Sequence, residues 1–304
     1  MGSLVRDLDP AYFESFVIRF TPAPDGEARA IDSAARATLV LPSSIAAARN
    51  AIAELQLDFL LYPDIGMEPF SYYLAHARLA RVQGVWPGHP ITTGLPEMDV
   101  FFSSTLSEPA DGDDHYSEKL IRLSKLPSYT FGRSPELGQN HVTKFGLSPK
   151  DRIYACPVMI YKFHPELDLR FAQILRKDPN AKIVVVGTEG YWFEALYQRF
   201  PDAMPDVVDR IVVLPWLNKH EFFALMKRAD VVLDTIHFCG GNTCLDAFAV
   251  GTPVVTQPGH FYRGRATMAK YRQMGIDGLV AGSEEEYVDL ALTTVNDASG
   301  VGFP

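Results

Sequence analysis

Residues 229–259, "ADVVLDTIHFCGGNTCLDAFAVGTPVVTQPG", carry the clearest signal for a fold class. This stretch begins with a short apolar run, continues through a glycine-rich loop and a helical segment, and ends with a second apolar run. Short β-branched runs without polar alternation are typical of parallel strands that are covered on both faces. The stretch therefore predicts a strand–loop–helix–strand unit, in which Gly251 ends the helix.

The same alternation continues on the N-terminal side of this stretch. Two more apolar runs, "AKIVVVG" (181–187) and "RIVVLP" (210–215), are predicted strands. The segment 164–179 is a predicted helix with apolar residues on one face, namely Leu167, Phe171, Ile174 and Leu175. A second helix is expected to begin at Asn218, where Glu221 completes a capping box. This alternation predicts a doubly wound α/β domain with a parallel sheet.

The first half follows the same rhythm less clearly. Predicted strands there are "SFVIRF", "LDFLLYPD", "RVQGVWPG" and "MDVFFSS", and predicted helices are "SIAAARNAIAELQ" and "PFSYYLAHARLA". Residues 108–150 are polar and contain Pro and Gly, which predicts an excursion followed by an interdomain linker. We therefore expect two Rossmann-like domains that face a cleft, residues 1–147 and 148–304, each with a parallel sheet and helices on both faces.

Composition narrows the classes of function. The 304 residues are 47% hydrophobic and carry a net charge of −9, which argues against a nucleic-acid or anionic-membrane partner. Three cysteines predict no disulfide framework and favour a reducing compartment. The N-terminus lacks the apolar core of a secretory signal, and no apolar run reaches the roughly 18 residues of a membrane span. The sequence thus predicts a cytoplasmic protein.

The glycine-rich loop is a candidate anion site, because ligands of parallel sheets collect at the carboxyl ends of strands. Gly240 and Gly241 would allow close approach of the backbone to a ligand. Asn242 or Thr243 would cap the helix, whose free N–H groups suit phosphate. Asp246, one turn further, could accept hydrogen bonds from sugar hydroxyls. The alternative is a plain glycine-rich turn.

Two other strand ends carry candidate ligand groups. Lys162 follows the apparent strand "RIYACPVM" and could stabilise a departing diphosphate, although a surface lysine is the simpler alternative. In the first half the loop "WPGHPITTG" (86–94) offers small and hydroxyl-bearing residues for phosphate or acceptor contacts. Its alternative is an ordinary turn built around two prolines.

The sequence predicts neither a metal site nor a bound cofactor. His237, Cys239 and Cys244 are three possible ligands, but their spacing fits no zinc pattern. The chain also lacks the dinucleotide G-x-G-x-x-G fingerprint, the Walker lysine loop and the G-x-S-x-G elbow. These observations disfavour a dinucleotide oxidoreductase, a P-loop ATPase and a serine hydrolase.

Several motifs in this order resemble one known family. They are "LLYPDIGMEP", "ARLARVQGVWPGHPITTGLPEMDVFFSS", "HYSEKLIRLSKLPSYTFGR", "YKFHPELD", residues 229–259 and "GRATMAKYRQMGI". Together they resemble the catalytic region of the family 41 glycosyltransferases, which comprise O-linked N-acetylglucosamine transferases, SPINDLY-like proteins and bacterial asparagine-glucosylating enzymes. The resemblance is nearest to the bacterial SPINDLY-like sequences.

The resemblance implies a GT-B type fold, a UDP-sugar donor held chiefly by the second domain, and inverting transfer to a protein without a metal. It assigns the diphosphate to Lys162 as the catalytic contact and to the helix start at Asn242 and Thr243. It assigns the ribose to Asp246 and places Lys219 near a uridine-contacting lysine. The first-domain loop that faces donor and acceptor corresponds to residues His89, Thr92, Thr93 and Gly94.

The chain also departs from the family pattern. Met159 stands where the animal enzymes have a donor-contacting glutamine, and Gly241 stands where they have a histidine. The N-terminus resembles the helix and strand that follow a loop with a functional histidine, so we expect an N-terminally truncated region whose catalytic base is unassigned. Three functions stay open: a UDP-sugar:protein O-glycosyltransferase, a non-catalytic UDP-sugar-binding module or remnant, and a UDP-sugar epimerase.

Overall fold

A computed structural model of the chain describes residues 2–127, 146–187 and 190–296. The chain divides into two compact units, Met1–Thr130 and Phe131–Pro304. Both units consist of parallel sheets and α-helices, which confirms the predicted α/β class. The predicted boundary between residues 147 and 148 stays a prediction, and much of the predicted linker lies outside the described residues.

The first unit is built on a four-stranded parallel sheet of order β3-β4-β5-β6 and a separate parallel pair, β1-β2. Its strands are β1 (Phe16–Arg19), β2 (Ala37–Val40), β3 (Phe59–Tyr62), β4 (Val82–Val85), β5 (Val100–Ser104) and β6 (Lys119–Leu123). Its helices are α1 (Gly2–Asp7), α2 (Gly26–Ala34), α3 (Ile45–Ala53) and α4 (Pro69–Leu74). Ile52, Leu74, Val85 and Phe101 are fully buried in its core.

Strand β6 lies inside residues 108–150, for which the sequence predicts an excursion and a linker, so this strand of the sheet was missed. Its residues pair in parallel with β5, from Val100 opposite Lys119 to Ser104 opposite Leu123. β6 is an edge strand of the sheet, and polar residues are common on edges. This explains why its sequence lacks the apolar character of the central strands.

The second unit is built on a five-stranded parallel sheet of order β11-β10-β7-β8-β9. Its strands are β7 (Arg152–Cys156), β8 (Ala181–Val186), β9 (Ile211–Leu214), β10 (Val231–Leu233) and β11 (Val254–Val255). Its helices are α5 (Pro165–Lys177), α6 (Tyr191–Ala203), α7 (Lys219–Arg228), α8 (Asn242–Ala249), α9 (Ala266–Met274) and α10 (Glu284–Asn296). This strand order is the one found in Rossmann-like domains.

Three local predictions for the second unit are confirmed. Four α5 side chains, Leu167, Phe171, Ile174 and Leu175, are completely buried. The Asn218 side chain accepts from the Glu221 N–H, and the Glu221 side chain accepts from the Asn218 N–H, which forms the capping box that begins α7. Gly251 follows α8 with a φ of +76°, a value that glycine adopts without strain. Within the described residues, no helix is both long and apolar enough to span a membrane.

Candidate functional site

The second sheet has a switch point between its adjacent strands β7 and β10. The chain continues from β7 to β8 in one direction and from β10 to β11 in the other. In open parallel sheets the crevice at such a point, at the carboxyl ends of the strands, is where ligands bind. Lys162 follows β7 and the glycine-rich loop follows β10, so the topology places both predicted elements at this crevice.

The loop after β10 is organised by Asp234, which sequence reasoning missed. The Asp234 side chain is fully buried and accepts hydrogen bonds from Thr235 N–H at 3.0 Å, Gly240 N–H at 2.7 Å and Thr256 Oγ1 at 2.8 Å. The Tyr287 hydroxyl donates to the Asp234 carbonyl oxygen at 2.8 Å. One carboxylate therefore fixes both ends of the loop and attaches it to β11.

A second segment, around Gly259 and Gly264, packs against the backbone of the same loop. A Cβ on Gly264 would lie 2.8 Å from the Ile236 carbonyl oxygen, and one on Gly259 would lie 3.4 Å from it. The Cys239 N–H donates to the Arg263 carbonyl oxygen at 2.9 Å. A side chain at Gly264 would therefore obstruct this close backbone contact, whereas a Cβ on Gly259 would make only an ordinary van der Waals contact.

The residue that caps helix α8 is a glycine and not a polar residue. Asn242 is its first residue, and Gly241 occupies the cap position with φ +53° and no side-chain cap. The prediction that Asn242 or Thr243 caps the helix is therefore wrong, because Gly241 adopts the positive φ that ends the loop. Gly240 is also required sterically, since a Cβ there would lie 2.7 Å from Cys244 Sγ. Asn242 is exposed and Thr243 half-buried in the first turn.

Lys162 lies beside this loop. A 3₁₀ turn, Ile160–Lys162, positions the lysine, and its Nζ donates to the Cys239 carbonyl oxygen at 3.0 Å. The ammonium also lies 3.9 Å from the centroid of the Phe238 ring. Burial lowers the pKa of Lys162. An ammonium has three N–H groups and this hydrogen bond engages one, so Lys162 brings a cation to the predicted anion site.

A pocket of about 320 Å³ continues from the start of α8 along the carboxyl ends of β7, β8 and β9. Its wall is mostly apolar, and the polar groups Lys219, Thr243 and Asp246 line it. Burial raises the pKa of Asp246, and the charge of Lys219 acts in the opposite direction. The remaining lining residues are Pro157, Val158, Met159, Val186, Trp216, Leu217, Phe222 and Phe223. An apolar pocket with a few convergent polar groups is the usual form of a small-molecule site.

The predicted first-unit residues lie in the loop after β4. Thr92 Oγ1 donates to Glu118 at 2.7 Å, while Thr93 donates to the same carboxylate through its N–H, at 2.8 Å, and its hydroxyl. Burial alone would raise the pKa of Glu118, but the hydrogen bonds from Thr93 and Thr92 outweigh it and lower that pKa. Both hydroxyls are thus engaged with Glu118. The assignment of His89, Thr92, Thr93 and Gly94 to donor and acceptor stays a prediction.

His237, Cys239 and Cys244, the three residues considered above as metal ligands, each contact a different residue. Cys239 and Cys244 are buried free thiols, and Cys239 Sγ donates to the Arg263 carbonyl oxygen at 3.0 Å. Cys244 Sγ accepts from Thr267 at 3.2 Å. His237 is exposed, and its Nε2 lies 3.2 Å from a Glu166 carboxylate oxygen.

These observations identify the class of protein to which the chain belongs. The chain is an α/β protein of Rossmann-like units, and polar groups and a pocket meet at the switch point of the second unit. Residues 137–301 match the family described as Glycosyl transferase family 41. The chain belongs to this family, as the resemblance in its motifs indicates.

A sequence match to a plant protein is consistent with membership of this family. The SPINDLY protein of rice (Oryza sativa subsp. japonica), named as a probable UDP-N-acetylglucosamine–peptide N-acetylglucosaminyltransferase, is 28% identical over 236 residues. That match covers 74% of this chain and 24% of the rice protein, so the chain spans about a quarter of the relative.

Solved structures share the fold. An O-GlcNAc transferase mutant from Thermobaculum terrenum superposes with a TM-score of 0.83 at 24% identity, covering 98% of this chain and 57% of that one. A sucrose-phosphate synthase from Thermosynechococcus elongatus gives a TM-score of 0.60 at 12% identity, covering 98% and 83%. The predicted fold class, that of GT-B glycosyltransferases, is confirmed.

Proposed function

We propose that this chain is the catalytic region of a glycosyltransferase that moves a sugar from a UDP-sugar to Ser or Thr of a protein acceptor. The observation that carries the proposal is the convergence of Lys162 and the Gly240–Thr243 loop at the switch point. Family membership supports the reaction type, and the names of the plant relatives support a UDP-sugar and a peptide.

In this proposal the donor spans the site from Lys162 to the pocket. The diphosphate lies between the Lys162 ammonium and the N-terminus of α8, where glycines permit close approach and the helix dipole favours negative charge. The ribose hydroxyls donate to Asp246, and the base enters the apolar pocket near Lys219. The pocket lining supports this order, because Thr243, Asp246 and Lys219 all border one cavity.

The proposed transfer inverts configuration and requires no metal at the diphosphate. The acceptor hydroxyl oxygen attacks C1 of the sugar, the bond from C1 to the diphosphate oxygen breaks, and the hydroxyl proton passes to a base. Lys162 and the start of α8 stabilise the negative charge that develops on the departing UDP. The transferred sugar is N-acetylglucosamine or a hexose such as glucose.

We place the protein in the cytoplasm, with the UDP-sugar and a protein acceptor as its partners rather than nucleic acid or membrane. Cys156, Cys239 and Cys244 are buried free thiols, which suits a reducing compartment. The net charge of −9 disfavours polyanionic partners.

The test is a transfer assay with labelled UDP-N-acetylglucosamine and UDP-glucose and a set of Ser-, Thr- and Asn-containing peptides. We expect transfer from at least one donor, unchanged by EDTA, and UDP binding by calorimetry. UDP binding without transfer would instead identify a non-catalytic module. Interconversion of free UDP-sugars without an acceptor would identify an epimerase, and no binding of UDP would contradict all three functions.

A further inference from the structure

Two histidines and a glutamate meet at the surface of the second unit, beside the proposed donor site. His164 is the N-cap of α5, Glu166 lies in its first turn, and His237 belongs to the loop after β10. His237 Nε2 lies 3.2 Å from Glu166 Oε2, and His164 Nδ1 lies 3.8 Å from Glu166 Oε1. One ligand atom from each residue lies within 4.8 Å of the others. We call these three residues the His–Glu–His cluster.

We propose that the His–Glu–His cluster binds a divalent transition-metal ion, with Zn²⁺ as the representative case. Two imidazoles and one carboxylate are ligands that suit Zn²⁺ and its neighbours, whereas Mg²⁺ and Ca²⁺ prefer sites made of oxygen. Ligands of one tetrahedral Zn²⁺ lie about 3.3–3.6 Å apart, which follows from metal–ligand distances of about 2.0–2.2 Å. His237 Nε2 and His164 Nδ1 lie 3.2 and 3.8 Å from different oxygens of Glu166, so side-chain rotation is needed to bring one ligand atom of each residue to this spacing.

The backbones that carry the cluster are fixed before any ion binds. On α5, Arg170 Nη1 donates to the Glu166 carbonyl oxygen at 2.8 Å. In the loop, Thr235 Oγ1 donates to the Phe238 carbonyl oxygen at 2.6 Å, and a Cβ on Gly259 would lie 3.8 Å from the His237 Cα. These contacts hold the backbone of Glu166 and of the His237 loop, so coordination by these two residues would require mainly rotation of their side chains.

About half of each cluster side chain is exposed, with values of 47–48% for His164, Glu166 and His237. The cluster therefore supplies three protein ligands and leaves the remaining coordination positions to water. An open site of this kind exchanges its ion readily, unlike the closed four-ligand sites that stabilise zinc fingers.

The cluster is separate from the groups proposed to contact the diphosphate. It joins the start of α5, two residues beyond Lys162, to the loop that leads to Gly240. A bound ion would cross-link two segments on either side of the switch point, so it would stabilise this edge of the fold. We assign the ion no part in the departure of UDP.

The test is calorimetric titration of ZnCl₂ into the untagged, EDTA-treated and desalted protein. We expect binding of Zn²⁺ at the cluster and a higher unfolding temperature with Zn²⁺ present. His237→Ala and Glu166→Gln should each weaken Zn²⁺ binding by at least about tenfold. Removing a residue that only hydrogen-bonds to a metal ligand already costs about 10–100-fold in affinity, so removing a ligand itself should cost no less. His164→Asn should weaken Zn²⁺ binding in the same way while keeping a good N-cap.

The matched control is His76→Ala, which removes an exposed histidine of the first unit and should leave Zn²⁺ binding unchanged. Circular dichroism establishes that each variant is folded, and three independent cluster variants allow for the failure of one. The proposal is overturned if Zn²⁺ does not bind, if the folded cluster variants bind it as the unmodified protein does, or if Mg²⁺ binds equally well.

Discussion

Two loops of the molecule are each organised by a buried carboxylate, and they use it differently. The Asp234 carboxylate fixes the loop after β10 chiefly by accepting from backbone N–H groups, those of Thr235 and Gly240. The side chains of Asn242 and Thr243 take no part in these hydrogen bonds. Glu118 instead accepts from the hydroxyls of Thr92 and Thr93 themselves. A loop shaped through its backbone keeps its polar side chains for a ligand, whereas a loop shaped through its hydroxyls has committed their donor hydrogens and keeps only their acceptor oxygens.

Removing the Asp234 carboxylate should destabilise the protein more than any other substitution considered below. Asp234→Ala leaves the Thr235 and Gly240 N–H groups and the Thr256 hydroxyl without their acceptor. We expect the free energy of unfolding to fall by roughly 3 kcal/mol or more, at about 1–3 kcal/mol for each buried group left unsatisfied. Denaturant unfolding measures this loss. Asp234→Asn, which keeps one acceptor oxygen, should lose less, and an equal loss in both variants would contradict the proposed hydrogen-bond role.

Lys162→Ala should separate ligand binding from loop shape. Because its ammonium is proposed to contact the diphosphate, we expect UDP affinity to fall by about tenfold or more, the range of one charge-assisted contact. Calorimetry measures the affinity. Lys227→Ala is the matched control, since Lys227 also donates to a carbonyl oxygen, that of Val250 at 2.9 Å, but does not line the pocket. Equal losses of affinity in the two variants would exclude a specific role for Lys162.

Glu118→Gln should have a smaller effect, confined to stability. The amide keeps one acceptor oxygen but loses the charge that strengthens the threonine hydrogen bonds, so we expect a loss of about 1–2 kcal/mol. UDP affinity should not change. Glu97→Gln is the control, because Glu97 forms a partly exposed ion pair with Arg78, for which a loss below about 1 kcal/mol is expected.

The smallest effect is a dependence on pH. Hydrogen bonds lower the pKa of Glu118 below its reference value of 4.5, so its ionised form stabilises the folded state above that pH. This contribution is lost as the pH falls through the lower, folded-state pKa. The free energy of unfolding should therefore fall more steeply between pH 7 and the acid range for the unmodified protein than for Glu118→Gln. Parallel pH profiles would contradict the role of the Glu118 charge.

The fold of the second unit could largely be predicted because its strands are continuous apolar runs between turn residues. The same signal was absent from β6, an edge strand with Lys119 and Arg122 among its five residues. It was also absent from α6, which contains Pro201 within the helix. Edge strands and interrupted helices are stabilised by tertiary contacts that no local pattern contains.

The site could be predicted only where its residues are close in sequence. The glycine-rich loop and Asp246 lie within one strand–helix unit, and Lys162 was placed by its position at a strand end. Asp234 was missed because its partner Thr256 is 22 residues away, although an aspartate directly after an apolar strand was a usable signal. The pairing of His237 with Glu166, 71 residues apart, has no signal in one sequence.

The glycine contacts at Gly259 and Gly264 have a consequence for protein engineering. The segment 234–243 does not adopt its shape alone, because Ile236 lies against those two glycines and Asp234 is bonded to Thr256. A designer who transplants the glycine-rich loop into another Rossmann scaffold would need to move residues 254–264 with it. The transferable module is a discontinuous pair of segments, and a graft of the loop by itself should lose its conformation.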